Sequence, residues 1–265
     1  MTHYHGTPIW GNSGEVHRIA VTGAGAFVSY ARPEQMGKSL QYANLVGIDN
    51  GAFSAWKSGL KIDWNDFYAW LEQYYFNDKT AFFVIPDVVE GGEADNDALI
   101  AKMPAAFKEK ATPVWHLHES LDRLVSLCED WPRVCFGSSG EYAQIRTARW
   151  HKRMVSAFEK IYLQHAFKTK IHGLRMLDGR VMGNYPLHSA DSTNLASNVP
   201  KYLVKYPELT KAVLDAGYGI EQVKPHRCAI LKGAIEAVKP PSIEQWLEAR
   251  TSQPIQLEFF MDMAS

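Results

Sequence analysis

The sequence has few cysteines, no long apolar run and no marker of secretion. Its three cysteines, Cys128, Cys135 and Cys228, are scattered and odd in number, so they offer neither a disulfide framework nor a CxxC pair for structural zinc. The longest apolar stretches, such as 81–85, are far shorter than the roughly 20 residues that cross a bilayer. The opening Met-Thr-His-Tyr-His lacks the charged and apolar regions of a signal peptide. We therefore expect a soluble, cytoplasmic protein that neither enters a membrane nor holds structural zinc.

An excess of either charge is also missing. The chain has 28 lysine and arginine residues against 29 acidic ones, for a net charge of -1. This balance gives no overall attraction to phosphate, so binding of a nucleic acid would depend on local basic patches. No repeat, low-complexity tract or Gly/Ser linker divides the 265 residues, a length typical of one barrel of about 250 residues. We predict a single domain over 1–265.

Short apolar runs alternate with amphipathic segments, a pattern typical of βα units around a parallel sheet. Eight such units favour an α/β fold of the TIM-like (β/α)8 barrel type, with C-terminal helices after about residue 200; a doubly wound open sheet is the alternative. The predicted strands are 3–8, 26–30, 45–49, 82–85, 114–118, 134–137, 171–175 and 187–190. The predicted helices are 34–43, 63–76, 95–109, 121–130, 146–167, 202–216 and 243–250.

Three aspartates, Asp49, Asp87 and Asp191, stand at the ends of separate predicted strands. Each could be a helix N-cap or an Asx turn, but in a barrel all three would meet at the mouth where active sites lie. Converging carboxylates favour chemistry at a glycosidic bond, where one carboxylate captures the anomeric carbon and a second acid transfers a proton. Asp191 and Asp49 could take these roles, which leaves Asp87 to accept two N–H groups from a base.

Further candidates lie in or directly after the fifth, sixth and seventh predicted strands. The segment 137–140, Gly-Ser-Ser-Gly, could let a planar ligand approach the backbone, or it could be an ordinary tight turn. His116 and His118 would point to one side of a strand, as in barrel metal hydrolases, although no third ligand is evident. We expect His172, at the start of the seventh strand, to support the site.

A basic segment follows the sixth strand. It could track a phosphate backbone, or it could be the solvated face of a helix. Its members are Arg146, Arg149, Lys152 and Arg153.

The order of these motifs resembles the tRNA-guanine transglycosylase superfamily, and within it the bacteriophage DNA 7-deazaguanine transglycosylases. The segment 49–53, Asp-Asn-Gly-Ala-Phe, is similar to the family's Asp-Ser-Gly-Gly-Phe, and Ile85-Pro-Asp87 stands where the family has its base-reading aspartate. The segment 136–141 resembles the family's Gly-Gly-Leu-Ala-Val-Gly-Glu loop. His172-Gly-Leu174 followed by Ser189-Ala-Asp-Ser-Thr193 looks like the phage branch's nucleophile region, so the resemblance covers about 49–193.

The resemblance implies a DNA-guanine transglycosylase that exchanges guanine for a 7-deazaguanine, such as 7-cyano-7-deazaguanine, without a cofactor. Asp191 would be the nucleophile and Asp49 the general acid/base. A phage origin would place the protein in the host cytoplasm. The implied base-binding residues are Asp87, His118, Gly137, Ser138, Ser139 and Phe53.

The sequence departs from the family in ways that affect the substrate. The tRNA enzymes have a zinc-binding Cys-x-Cys-x-x-Cys with a later histidine, whereas this chain has only His226-Arg-Cys228, which favours DNA over tRNA. Asn50 and Ala52 replace Ser and Gly, and His118 with Glu119 stands where the family has Gln-Gly. The alternatives are a tRNA-guanine transglycosylase, a metal-dependent amidohydrolase using His116 and His118, and a non-catalytic nucleic-acid-binding barrel.

Overall fold

Nine short parallel strands form one sheet in a computed structural model that describes residues 1–10 and 14–252. The end of the predicted domain, 253–265, lies outside the described residues. The strands are β1 (Thr2–Gly6), β2 (Gly25–Ser29), β3 (Leu45–Asp49), β4 (Thr80–Val84), β5 (Ala111–Thr112), β6 (Val114–His116), β7 (Arg133–Gly137), β8 (Lys170–Gly173) and β9 (Ser189–Ser192).

The strand order closes the sheet almost completely. Hydrogen-bonded neighbours run β5-β4-β3-β2-β1-β9-β8-β7-β6, so the first and last strands of the chain lie side by side. The two ends of this order, β5 and β6, are consecutive pieces of chain separated by Pro113, which has no N–H to donate to a ladder. Taken as one interrupted strand, they are the fifth of eight. The predicted TIM-like barrel is therefore confirmed, and the doubly wound sheet is excluded.

Helices surround the barrel. Leu121–Asp130 is helical as predicted, whereas the 95–109 helix ends at Lys102 and the 146–167 helix passes into a π-helical turn after Phe158. Within the described residues, no helix is long and apolar enough to span a membrane. The helices are α1 (Glu15–Val21), α2 (Met36–Tyr42), α3 (Ala52–Ser58), α4 (Trp64–Tyr75), α5 (Glu93–Lys102), α6 (Leu121–Asp130), α7 (Ala148–Phe158), α8 (Gly179–Met182), α9 (Asn194–Asn198), α10 (Pro207–Asp215), α11 (Val223–Ala237) and α12 (Ile243–Thr251).

Aromatic side chains fill the inside of the barrel below its mouth. Tyr4, Phe27 and Phe82 pack against one another and against the buried ring of His172. Gly25 makes room for this packing, since an added Cβ would lie 2.5 Å from Cδ1 of Tyr4. This packing lies below the carboxyl ends of the strands, which is where barrel active sites lie.

Six of the eight strand ends differ from the sequence prediction, and the shifts in the fifth, seventh and last strands bear on the candidate site. The fifth strand ends at His116, because the chain turns there and the amide of Glu119 donates to the carbonyl of His116 at 2.8 Å. The seventh strand ends at Gly173 instead of residue 175. The last strand is Ser189–Ser192, so Asp191 lies within it; side chains alternate along a strand, and Asp191 shares its face with Ser189.

Candidate active site

A cavity of about 150 Å³ opens at the carboxyl ends of the strands. A cavity of this size in another protein holds benzene, so the space suits a flat aromatic ligand. All three aspartates predicted to converge line this one cavity. Their neighbours in its wall include Thr7, Asn50, Phe53, His116, Gly137, Ser138, Ser139 and Arg175.

Asp191 is buried and held on one side. Its Oδ1 accepts a hydrogen bond from the backbone amide of Arg175 at 3.0 Å and from Nε2 of His172 at 3.3 Å. Both of these N–H groups stabilise the ionised carboxylate. Within the described residues no hydrogen bond goes to Oδ2, so that oxygen remains for a ligand in the cavity.

His172 acts on Asp191 as a neutral ring. Complete burial lowers the pKa of this imidazole, against the opposing effect of Asp191. A neutral imidazole donates from one nitrogen only, and a carboxylate can only accept, so the proton belongs on Nε2. The Ser189 hydroxyl then donates to Nδ1 at 2.8 Å. The expectation that His172 supports the site therefore has a geometric basis in a Ser189–His172–Asp191 chain.

Asp49 is the carboxyl with a perturbed acidity. Burial raises the pKa of Asp49 to about 6, and the negative charges of Asp191 and Asp87 act in the same direction. The Ser29 hydroxyl and the Gly51 amide, which donates to Oδ2 at 3.2 Å, partly offset this rise. A carboxyl with this pKa can both give and take a proton near neutral pH.

Asp87 is oriented by Asn50, one of the two residues that depart from the family motif. The Asn50 side-chain amide donates at 2.7 Å to Asp87 Oδ1 and at 2.7 Å to the carbonyl of Ile85, while its oxygen accepts from the amide of Ala52 at 2.8 Å. Asn50 thus joins the ends of β3 and β4. The effect is to hold the Asp87 carboxylate in the cavity wall.

The two histidines of the fifth strand have different surroundings. His116 lines the cavity with Nε2 3.0 Å from Asp87 Oδ2, out of line for a hydrogen bond, and both ring nitrogens lack a hydrogen-bond partner among the described residues. His118, the predicted base contact, lies outside the cavity wall; its Nδ1 pairs with Ser139 Oγ at 2.8 Å and its Nε2 with the carbonyl of Gly91 at 3.1 Å. His116 therefore holds the position expected of His118.

The Gly137-Ser-Ser segment lines the cavity. The Ser138 hydroxyl accepts from Trp150 Nε1 at 2.9 Å, and the Ser139 hydroxyl is paired with His118. The amides of both serines donate no hydrogen bond within the described residues and are available to a carbonyl oxygen. A side chain at Gly137 would crowd the site, because its Cβ would lie 3.1 Å from Nδ1 of His116.

Arg175 was absent from the sequence-based candidates. Its φ of 59° lies in the left-handed region, which is uncommon for arginine, and this conformation aims its amide at Asp191. Its guanidinium lies 3.9 Å from the ring centroid of Phe53 and donates to the carbonyl of Ser138 at 3.0 Å. The predicted base-binding Phe53 therefore lines the cavity with a cation over one face.

The basic segment divides into two groups. Arg153 donates from Nε to the carbonyl of Leu117 at 2.8 Å and from Nη2 to the carbonyl of Glu119, so it holds the turn after β6 instead of facing solvent. Arg149 is exposed and pairs with Glu141 at 2.9 Å. Arg146 lies 3.8 Å from Asp178, and Lys152 is exposed.

The amidohydrolase alternative requires a cluster of metal-ligating side chains. Within 1–10 and 14–252, no group of three or more His, Cys, Asp or Glu side chains is placed to hold a metal ion. Cys228 is buried with Sγ 3.6 Å from the carbonyl of Val16, and His226 Nδ1 pairs with the carbonyl of Gln222.

No protein-family model, curated protein or solved structure matches the chain. The function must therefore be argued from the site itself.

Proposed function

We propose that this protein is a glycosyltransferase that exchanges guanine in DNA for a 7-deazaguanine through a covalent Asp191–glycosyl intermediate. The observation that carries the proposal is that one base-sized cavity holds three carboxylates in three different environments. Asp191 has its Oδ1 hydrogen-bonded and its Oδ2 free for a ligand. Asp49 has a pKa of about 6, and Asp87 is oriented by a hydrogen bond from Asn50. Such a division suits a nucleophile, a proton carrier and a base reader.

The first half of the exchange removes guanine. The target nucleotide leaves its stack and enters the cavity, at a cost of a few kcal/mol in a duplex and less in a single strand. Oδ2 of Asp191 attacks C1′ as the bond from C1′ to N9 breaks, and the electron pair leaves with guanine. The protonated form of Asp49 supplies the proton for the departing base.

The second half installs the new base. Asp49, now a carboxylate, takes the N9 proton of the incoming 7-deazaguanine as N9 attacks C1′, and Asp191 departs as a free carboxylate. Protons and electron pairs balance over the two halves, so the exchange needs no redox or nucleotide cofactor.

The remaining wall residues suit a guanine-like base. The Asp87 carboxylate accepts N–H groups from the base, and the amides of Ser138 and Ser139 donate to its carbonyl oxygen. Phe53 provides an aromatic face for stacking. We propose DNA as the polymer because the chain lacks the zinc-binding cysteine pattern of the tRNA enzymes that it resembles.

The test measures transfer of radiolabelled 7-cyano-7-deazaguanine into DNA and, separately, into tRNA. We expect label in DNA with the wild-type protein and none with Asp191→Asn, because an amide is a poor nucleophile. Asp122→Asn is the matched control, since that side chain is 94% exposed on α6. Label in tRNA alone would reassign the polymer, and equal transfer by Asp191→Asn would refute the mechanism.

A second readout looks for the intermediate. Wild-type protein mixed with a guanine-containing oligonucleotide should give a protein–DNA adduct that survives denaturation, and Asp191→Asn should give none. Binding of DNA without adduct or exchange would favour the non-catalytic barrel.

A further inference from the structure

The cavity that the proposed function uses has a charge problem. A nucleotide brings a phosphate to a wall that already holds Asp49, Asp87 and Asp191. The phosphate and the carboxylates repel each other, and the repulsion is stronger in a protein cavity than in bulk water because the dielectric constant is lower. A phosphate that follows the base into the mouth therefore needs a cation beside it.

Arg175 lines the cavity and could supply this positive charge. Within the described part of the chain, no other lysine or arginine lines the cavity. The carboxyl groups of Asp191 and Asp49 both attract its guanidinium. The residue is exposed to solvent, so its side chain can reach a ligand at the rim.

The present contacts of Arg175 lie across the mouth. The guanidinium stacks on Phe53, just after β3, and donates to the carbonyl of Ser138, just after β7. Both contacts are with neutral groups, a ring face and a carbonyl, and a phosphate is a stronger partner for a guanidinium than either. A base that stacks on the same face of Phe53 would also take the place of the guanidinium there.

The backbone of Arg175 is anchored independently of this side chain. Its amide donates to Asp191 Oδ1, and its φ of 59° is held by the tight turn that follows β8. Left-handed non-glycine residues tend to cluster at functional sites. The guanidinium can therefore change partner while the amide continues to orient the nucleophile.

We propose that Arg175 binds a phosphate of the target nucleotide, moving from the face of Phe53 as the base enters. This inference rests on the proposed function for the identity of the base, whereas the phosphate contact itself can be tested without any exchange. The side chain is then a specificity determinant for a nucleotide within a polymer over a free base.

The test measures binding of a fluorescent single-stranded DNA oligonucleotide at several salt concentrations. All variants are made in an Asp191→Asn background, which prevents turnover and keeps an oxygen to accept the Arg175 amide. Loss of one phosphate contact lowers the slope of log K against log salt by about 0.7 for single strands. We expect this decrease for Arg175→Gln, a slope near that of the parent for Arg175→Lys, and an unchanged slope for the control Arg180→Gln.

An unchanged slope for Arg175→Gln, or no binding of DNA by the parent, would overturn the inference. A kinetic readout in the wild-type background separates it from a structural role. Arg175→Gln should raise KM for DNA several-fold and leave KM for 7-cyano-7-deazaguanine unchanged, since the free base has no phosphate. If the parent binds DNA with the expected slopes yet exchanges no base, the proposed function fails and the phosphate contact stands.

Discussion

At the scale of residues, the three aspartates of the site differ in their hydrogen-bond partners and in their electrostatic surroundings. Asp191 receives two N–H donors on one oxygen, whereas Asp49 lies among protein and other carboxylates and has a pKa of about 6. Oδ1 of Asp87 accepts a hydrogen bond from the side-chain amide of Asn50. Three residues of one type therefore have different hydrogen-bond partners, and the pKa of Asp49 is raised by its burial.

The Asp49 carboxyl should make the folded protein less stable as the pH rises. Its native pKa of about 6 exceeds the ordinary value of 3.8, so the native state binds the extra proton between these values. The cost is absent below about pH 4, grows through pH 6 and is complete above it. Asp49→Asn should remove a cost of about 3 kcal/mol at pH 8 and abolish base exchange.

Urea unfolding from pH 4.5 to 8 tests this expectation. The gap in unfolding free energy between Asp49→Asn and wild type should widen up to about pH 6.5 and then stay level. Asp122→Asn should show no such widening. A gap that is the same at pH 4.5 and pH 8 would contradict the assignment.

At the scale of elements, a buried polar network holds β6 and the helices beside it. Glu119 accepts from the amide of His116 at 2.8 Å, from Asn96 of α5 at 2.9 Å and from Arg123 of α6 at 2.6 Å. Arg123 also pairs with Asp97 at 2.8 Å. His116 of the cavity wall is therefore fixed by two helices that do not themselves reach the cavity.

Replacement of Glu119 should weaken this arrangement. Glu119→Gln removes the charge that faces buried Arg123 and turns an NH₂ group toward other donors. We expect a loss of about 3 kcal/mol in unfolding free energy, because buried Arg123 loses its buried carboxylate partner and keeps the exposed carboxylate of Asp97. Exposed Glu129 on α6, the helix that carries Arg123, is the control, and Glu129→Gln should stay within about 0.5 kcal/mol of wild type. Equal urea midpoints for both variants would contradict the role of the network.

At the scale of the whole molecule, the N-terminal elements pack against the last strand and against α11. β1 pairs with β9, and Cys228 of α11 lies against the carbonyl of Val16 in α1. Buried Arg227 binds the carbonyls of Asn198, Lys205 and Tyr206, which ties α11 to the chain that precedes α10. The C-terminal helices are therefore packed into the same body as the barrel.

The reactivity of the three cysteines tests whether the barrel and the C-terminal helices unfold together. They lie in α6, in the barrel interior and in α11, and burial raises the pKa of all three thiols, to about 12 for Cys128 and Cys228 and well above the ordinary value for Cys135. Since the thiolate is the reactive form, we expect almost no reaction with a disulfide reagent in the native state. All three should become reactive over one range of denaturant. Reaction of Cys228 at lower denaturant would show that the C-terminal helices unfold separately.

Sequence pattern alone predicted the barrel and the meeting of its aspartates. Eight apolar runs with helical segments between them favour a parallel sheet curled into a barrel over an open doubly wound one, and the carboxyl ends of parallel strands face one way. The aspartates that follow or end three of those runs must therefore come together, whichever exact residue ends each strand. The resemblance to transglycosylases added the roles of those aspartates, which remain proposals.

Only the tertiary structure decided which side chains stand beside the aspartates. Strand periodicity cannot show that the chain turns after His116, which brings His116 and not His118 to the cavity, nor that Arg175 adopts a positive φ. Nor does it show that Arg153 binds two backbone carbonyls while Arg175 stacks on Phe53. A sequence lists the polar groups of a site, but their partners lie on other strands, and hydrogen bonding and burial settle those pairings only once the barrel has closed.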